Sequence, residues 1–356
     1  MLTKKLHYDL PPEKIAQFPS KQRDESRLLM HVRSTGETTH HRFRDLPDLL
    51  CAGTRIFRND VAVLKARIHG ERPTGGLVEC LLVRPVETKK ADNVWRCLLK
   101  PGLKTHKGGS FSNKGEYSAT VSRKLPSGEY LVHFDLSKDP DVPALAERLG
   151  AMPLPPYVKR AAEEEDFARY QTVYASSSKR TAIAAPTAGL HFTPDLLNAL
   201  QAKGHPMYDL TLSVGPGTFR PIETELVEEH QMHTESYELS PEVKFALREE
   251  GSPRLAVGTT TTRAIEHHLS LGEDCQPRDS TMGEADLFIA PPYPPFLGVD
   301  CMLTNFHLPA STLLCLVAAF LSPGKEDGLD LLKQLYAEAL ARDYRFYSYG
   351  DAMLIR

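Results

Sequence analysis

A change of texture along the chain constrains the fold more than any single motif. From about Arg67 to Gly150, short strand-like runs (Leu77 to Val83, Val94 to Leu99, Ser118 to Val121 and Tyr130 to Phe134) alternate with clusters of Gly, Pro, Lys and Asn. That spacing predicts a small antiparallel barrel. After the proline-rich connector MPLPPYVKR, Met152 to Arg160, strand and helix signals alternate instead. A helix over Pro194 to Lys203 leads to a strand over Tyr208 to Val214, and Ser240-Pro241 starts a helix ended near Gly251 and followed by a strand over Arg254 to Val257. Further strands fit Ala285 to Ile289 and Val299 to Thr304, with helices after Ser311 and from Leu329 to Ala341. Such alternation predicts an α/β fold with a mainly parallel or mixed sheet. At 356 residues the chain exceeds a typical single core, so two or three domains are expected.

The segment Ala184 to Thr193, AAPTAGLHFT, is small and apolar except for one histidine. Pro186 lacks a donor and Gly189 permits a positive φ, so the segment reads as a constrained turn presenting Thr187 and His191. Thr193 then suits a helix N-cap, Pro194 the first helical position and Gly204 a left-handed stop. The first fifty residues hold a strand at Leu28-Leu29-Met30 and a short docking helix over Phe43 to Leu50, with Arg23 and Arg27 read as surface ion pairs. Gly53 opens a strand through Ile56 and Phe57 that ends at Asn59-Asp60.

A net charge of −3 provides no global basic field, yet Lys89, Lys90, Lys100, Lys104, His106, Lys107 and Lys114 crowd the barrel region. They read either as a solvated face or as an RNA-holding patch. The six cysteines are dispersed without metal-ligand spacing and read as reduced, mostly packed thiols of a cytoplasmic protein. No signal peptide is recognisable, and the apolar segment Leu313 to Leu321 is roughly half the ~20 residues that span a bilayer. No membrane contact is expected.

Chemistry concentrates in turns after strands, where α/β sheets collect ligands. Gly215-Pro216-Gly217-Thr218 and Gly258-Thr259 through Arg263 could meet an anion or nucleotide through backbone amides, or serve only as tight turns. Asn305-Phe306-His307 falls on the same edge. His191, His230, His233 and His307 neighbour these turns or Glu223 and Glu235, providing candidates for a general base near neutral pH. His230 and His233 have HxxH spacing but no third ligand, so no metal is expected.

These residues fall within a longer pattern. YDLPPEKIAQFP from Tyr8, RDESRLL from Arg23, Asn59-Asp60, GGLVECLL from Gly75, MPLPPYVKR, YQTVYA from Tyr170, AAPTAGLHFT, VGPGTF from Val214, MHTESYEL from Met232, AVGTTTTR ending at Arg263, TNFHLPASTLL from Thr304 and YRFYSYGDAM from Tyr344 run in order through nearly the whole chain. In them the sequence resembles the S-adenosylmethionine:tRNA ribosyltransferase-isomerase family of queuosine biosynthesis. The resemblance implies an α/β catalytic domain built from both chain ends, residues 1–67 and 151–356, interrupted by an antiparallel β-barrel domain over 68–150.

It further implies transfer and isomerisation of the ribosyl moiety of S-adenosylmethionine onto 7-aminomethyl-7-deazaguanine at the tRNA wobble position. The products would be epoxyqueuosine-tRNA, adenine and methionine, with the cofactor consumed; apart from the resemblance, a monomer is expected. That chemistry needs a base, a proton donor to adenine and polar contacts for the ribose and the methionine carboxylate. His191, His233 and His307 are the expected proton-transfer residues, with Glu235 as partner or alternative. Thr187, Gly189, Gly215, Gly217, Gly258, Thr259 and Asn305 are expected at the cofactor, and Arg263 as the carboxylate or phosphate clamp.

Three departures stand out. Val61-Ala62 replaces the family's Thr-Arg after Asn59-Asp60, leaving Arg58 or Lys65 to substitute; Tyr293-Pro294-Pro295 replaces Tyr-Pro-Gly; and Ser176 to Thr181 adds Lys179 and Arg180. Two rival readings are an S-adenosylmethionine-dependent RNA methyltransferase and a non-catalytic RNA-binding protein.

Overall fold

Strands from the two ends of the sequence interleave in one sheet, while the middle of the sequence closes on itself. The computed structural model describes residues 1–86, 93–102, 109–215, 221–232, 234–272 and 279–356. In chain order, β1 (Arg27–Val32) and β2 (Glu37–Arg42) form a hairpin, a tight turn leads into α1 (Leu46–Leu49), and β3 (Arg55–Asn59) and the short β4 (Ala62–Val63) follow. The barrel strands are β5 (Arg67–Glu71), β6 (Leu77–Pro85), β7 (Val94–Lys100), β8 (Ser110–Asn113), β9 (Tyr117–Lys124) and β10 (Tyr130–Leu136), followed by α2 (Val142–Leu149) and α3 (Glu164–Arg169). Next come β11 (Arg180–Ala182), α4 (Pro194–Ala202), β12 (Met207–Leu212), β13 (Glu235–Leu239) and α5 (Pro241–Arg248). The chain ends with β14 (Arg254–Val257), α6 (Thr259–Ser270), β15 (Thr281–Ala285), β16 (Cys301–Asn305), α7 (Thr312–Leu321), α8 (Gly328–Ala341) and β17 (Ala352–Ile355).

The nine-stranded sheet runs β15-β13-β12-β3-β14-β16-β17-β1-β2. Its central strands β12, β3, β14 and β16 are mutually parallel. Antiparallel β13 and β15 extend one side, and β17 inserts on the other between β16 and β1. The parallel arrangement places Leu212, Asn59, Val257 and Asn305 together at the carboxyl edge, where a ligand crevice is expected. The core beneath is built largely by α6, α7 and α8. α7 buries Leu314, Val317 and Phe320 completely, each contributing about 1.5–3 kcal/mol. Among the described residues, no helix is long and apolar enough to cross a membrane.

The barrel closes in the order β10-β7-β6-β5-β8-β9. Its core comes from alternation along the strands: Tyr117, Ala119 and Val121 of β9 point inward while Ser118, Thr120 and Ser122 face solvent. Val142, Leu145 and Ala146 of α2 pack on the same core, and Asp141 accepts the Ala144 N–H at 2.7 Å to cap that helix. Cys80 and Cys97 are buried thiols inside, whereas Cys51 on the other body of the chain is exposed.

Several local expectations correspond closely to the structure. Thr193 Oγ1 accepts the Leu196 N–H at 3.1 Å, and Gly204 terminates α4 at φ +79°. Others are corrected. Gly189 does not adopt a positive φ; it is glycine because an added Cβ would lie 2.1 Å from the Tyr174 hydroxyl and 2.8 Å from Thr172 Cγ2. Arg23 is no surface ion pair, for its guanidinium donates to the carbonyls of Leu190 at 2.9 Å and Ala168 at 2.6 Å. The strand expected over Ala285 to Ile289 lies earlier, at Thr281–Ala285. The threonine run after Gly258 is a helix rather than a turn, and the hydroxyls of Thr261 and Thr262 bond back to the carbonyls of Val257 and Gly258.

Candidate active site

At the carboxyl edge of β14 and β16 lies a cleft of about 650 Å³, lined by Pro186, Thr187, Gly258, Thr259, Asn305 and His307 among others. It meets a hollow of about 490 Å³ that holds Glu235, Arg263 and His230, the two sharing Thr259, Thr260 and Leu313. Gly258 turns the chain from β14 into α6 at φ +97°, a conformation that excludes most side chains, and its N–H is tied to the Leu303 carbonyl at 2.7 Å. The first backbone bond returning to this turn is Thr262 N–H to Gly258 O at 3.1 Å, so the amides of Thr259, Thr260 and Thr261 precede the helical ladder. They form the positive end of α6, at the junction of cleft and hollow.

Aromatic residues form the cleft's apolar wall. Tyr157 and Tyr347 approach with ring centroids 4.6 Å apart, and Phe306 adds a third ring to the lining. Tyr347 sits at φ +70°, unusual for a bulky residue. Its N–H donates to Phe306 O at 3.1 Å and its carbonyl receives Gly350 N–H at 2.9 Å, which hold it there.

His307 lies two residues past the end of β16 and lines the cleft. Burial pushes its pKa down to about 3, so the imidazole is neutral at physiological pH. Nε2 lies 2.8 Å from Thr304 Oγ1, and the backbone N–H donates to the Tyr336 hydroxyl at 2.9 Å. His191 occupies a different position. It lines a smaller hollow behind the cleft, with Arg23 and Ser348, and its Nε2 accepts from Asn305 Nδ2 at 3.1 Å. Burial, then the cations Arg345 and Arg23, push its pKa down to about 3. His191 therefore stands behind Asn305, while Asn305 itself lines the cleft.

The Asn305 carboxamide is fixed by its neighbours. Nδ2 also faces the carbonyls of Tyr347 at 3.3 Å and Asp351 at 3.2 Å, and Oδ1 is buried with no partner among the described residues. Turning the group over would set oxygen against two carbonyl oxygens, so the orientation follows from the backbone.

Glu235 and Arg263 form an ion pair, both buried. Burial lowers the Arg263 pKa to about 10, which still leaves it charged. Glu235 Oε1 also accepts the Gly215 N–H at 3.3 Å, linking the first residue of the glycine turn to the hollow. Gly217 and His233 lie outside the described residues, as does the rest of that turn. Thr187 is half-buried on the cleft wall, whereas Gly189 packs behind it against Tyr174. Among the described residues, no group of three or more His, Cys, Asp or Glu is placed to hold a metal ion.

At the departure beside Asn59, neither expected substitute is free. Arg58 pairs with Asp209 at 2.7 Å and stacks over Tyr174, and Lys65 pairs with Glu147 at 3.2 Å. Lys179 from the altered loop reaches Asp60 instead, at 3.2 Å. Residue types alone do not single out Tyr157, Thr304 or Tyr347. Each nevertheless falls inside a segment that carries the family resemblance, the only signal that points to them.

Comparison with known proteins agrees along the full length. The family described as queuosine biosynthesis protein matches residues 3–355. Relatives named S-adenosylmethionine:tRNA ribosyltransferase-isomerase include one from Trichlorobacter lovleyi, 42% identical with 100% of both chains covered, and one from Citrifermentans bemidjiense, 44% identical with 98% of each covered. The crystal structure of S-adenosylmethionine tRNA ribosyltransferase from Thermotoga maritima is 33% identical with a TM-score of 0.54, covering 99% of this chain and 100% of that one. The chain is thus an enzyme of the queuosine biosynthesis family, among the S-adenosylmethionine:tRNA ribosyltransferase-isomerases.

Proposed function

We propose that the cleft binds S-adenosylmethionine and that the enzyme transfers and isomerises its ribosyl moiety onto 7-aminomethyl-7-deazaguanine at the wobble position of tRNA. The products are epoxyqueuosine-tRNA, adenine and methionine, so the cofactor is consumed. The aromatic wall of Tyr157, Phe306 and Tyr347 suits a purine. The amides at the start of α6 and the Arg263 guanidinium suit the methionine carboxylate, with Glu235 near enough to share its ammonium. Asn305 Oδ1 offers an acceptor to a ribose hydroxyl or an amine.

The observation that carries the reading is the placement of the His307 imidazole on the wall of this cleft, beside the aromatic rings and the start of α6. The sulfonium acidifies the adjacent ribose methylene. His307 takes that proton, leaving a carbanion beside sulfur and an imidazolium. The electron pair of the carbanion forms a double bond to the neighbouring ring carbon, and the bond from that carbon to the ring oxygen breaks. The oxygen becomes the carbonyl of the anomeric carbon, and adenine leaves with the glycosidic pair and takes the proton of the imidazolium. The acceptor amine then attacks the ribosyl fragment, and the sulfur departs as methionine. Low polarity around His307 favours return of the proton, because the charged imidazole is costly there.

The same proposal gives residues 1–67 and 151–356 the catalytic role and residues 68–150 the role of an inserted barrel that meets the tRNA. Lys100 and Lys114 are exposed on it, and Lys89, Lys90, Lys104, His106 and Lys107 lie outside the described residues. The setting is the bacterial cytoplasm, and the acting species is a monomer. Product analysis with S-adenosylmethionine and acceptor tRNA tests the reading: equal adenine and methionine support it. S-adenosylhomocysteine would replace it with methylation, and no turnover with simple binding.

A further inference from the structure

Thr304 is the last residue but one of β16, buried, and its hydroxyl is the sole described partner of His307 Nε2. That hydroxyl has one hydrogen and two neighbours, Nε2 at 2.8 Å and the Asn305 carbonyl at 3.3 Å. A carbonyl oxygen only accepts, so the Thr304 hydrogen goes to Asn305 O if both contacts are hydrogen bonds. Nε2 must then donate to Thr304 Oγ1. The proton of the neutral ring is thereby placed on Nε2, and the lone pair is left on Nδ1, which meets no protein partner among the described residues.

The ring is anchored at its base as well. The His307 N–H donates to Tyr336, the His307 carbonyl accepts from the Tyr8 hydroxyl, and Tyr336 packs edge-on to Tyr8 with centroids 5.3 Å apart. Main chain and Nε2 are thus both fixed, and Nδ1 is the nitrogen of His307 left for chemistry in the cleft.

We propose that Thr304 is a positioning residue that sets the tautomer of His307, making Nδ1 the proton acceptor toward the ribose methylene. This rests on the reading of His307 as the base. Removing the hydroxyl releases the tautomer and the ring rotation together, and the Nδ1–H form cannot accept a proton at the position where one is offered.

Two measurements test it. In full-length enzyme labelled with ¹⁵N-histidine and assigned with His307→Gln, the His307 ring should show a protonated Nε2 and an unprotonated Nδ1. A wild-type ring protonated on Nδ1 overturns the proposal without any need for a Thr304 variant. In single-turnover assays at saturating S-adenosylmethionine, Thr304→Val should be slower by roughly 10- to 100-fold with its affinity for S-adenosylmethionine within about twofold, and Thr304→Ser should recover most of the rate. An unchanged Thr304→Val rate overturns the proposal if His307→Gln is slow. If His307→Gln also turns over at the wild-type rate, the assignment of the base has failed instead. Recovery by valine rather than serine would mark a packing role and also overturn it.

Discussion

Asn305 on β16 donates from Nδ2 to Nε2 of His191, 3.1 Å away and 114 positions earlier in the chain. The contact makes His191 an acceptor, and the ring lines the smaller hollow rather than the cleft. The expected outcome for His191→Ala is therefore a loss of stability of about 1–3 kcal/mol, as for a buried hydrogen-bonded group, with a single-turnover rate within about tenfold of wild type. Urea denaturation and single-turnover rates on one preparation check it. A rate loss of about 10²-fold without loss of stability would return His191 to the catalytic set.

Acid should weaken the fold through the two buried imidazoles. His191 and His307 are both lowered to about 3, so the folded protein leaves them neutral where the unfolded chain, near 6.5, takes up protons. Stability they contribute is fully present above about pH 6.5 and falls as pH drops toward 3, by about 1.4 kcal/mol per pH unit for each histidine. Denaturation at pH 7, 6 and 5 should show the slope, and His191→Gln should lessen it by one histidine's share.

Local signals are legible in the sequence wherever a cap or a strand is chemically distinct. The strand Arg254–Val257 and the Thr193-capped helix follow directly from residue types. The threonine run from Thr259 is not legible as helix, because β-branched residues favour helices little. Here, burial against the sheet and back-bonding by Thr261 and Thr262 override propensity. β17 escapes a local reading for another reason: four residues at the end of the chain gain their place only by pairing with β16 and β1, which no local pattern reveals. Within the site, His307, Thr187, Gly258 and Arg263 line the cleft or its adjoining hollow. The relation of His191 to Asn305 is long-range and depends on packing.

The Glu235–Arg263 pair should behave as a buried unit. Arg263→Ala leaves a carboxylate uncompensated in the interior, at a cost of about 3–5 kcal/mol. The double variant Glu235→Leu with Arg263→Met should recover most of that stability while losing affinity for S-adenosylmethionine. Thermal denaturation and calorimetric titration would separate the two effects. Recovery of stability and affinity together would remove the pair from the binding site.

The barrel lysines should act through phosphate. Replacing Lys100, Lys104 and Lys107 together by alanine should weaken tRNA binding and flatten its dependence on salt, by about 0.7–0.9 in log–log slope for each phosphate no longer neutralised. S-adenosylmethionine affinity should remain unchanged. A triple variant with the wild-type salt slope would remove this patch from the RNA interface.

The most direct test of His307 as the base is the rate of ribosyl transfer in His307→Gln, measured in a single turnover with saturating S-adenosylmethionine and acceptor tRNA. Glutamine keeps polar atoms in the place of the imidazole but cannot take up the proton. Transfer should be slower by roughly 10²-fold or more, with the affinity for S-adenosylmethionine and the melting temperature close to wild type. A variant that transfers the ribosyl group at the wild-type rate would contradict that role.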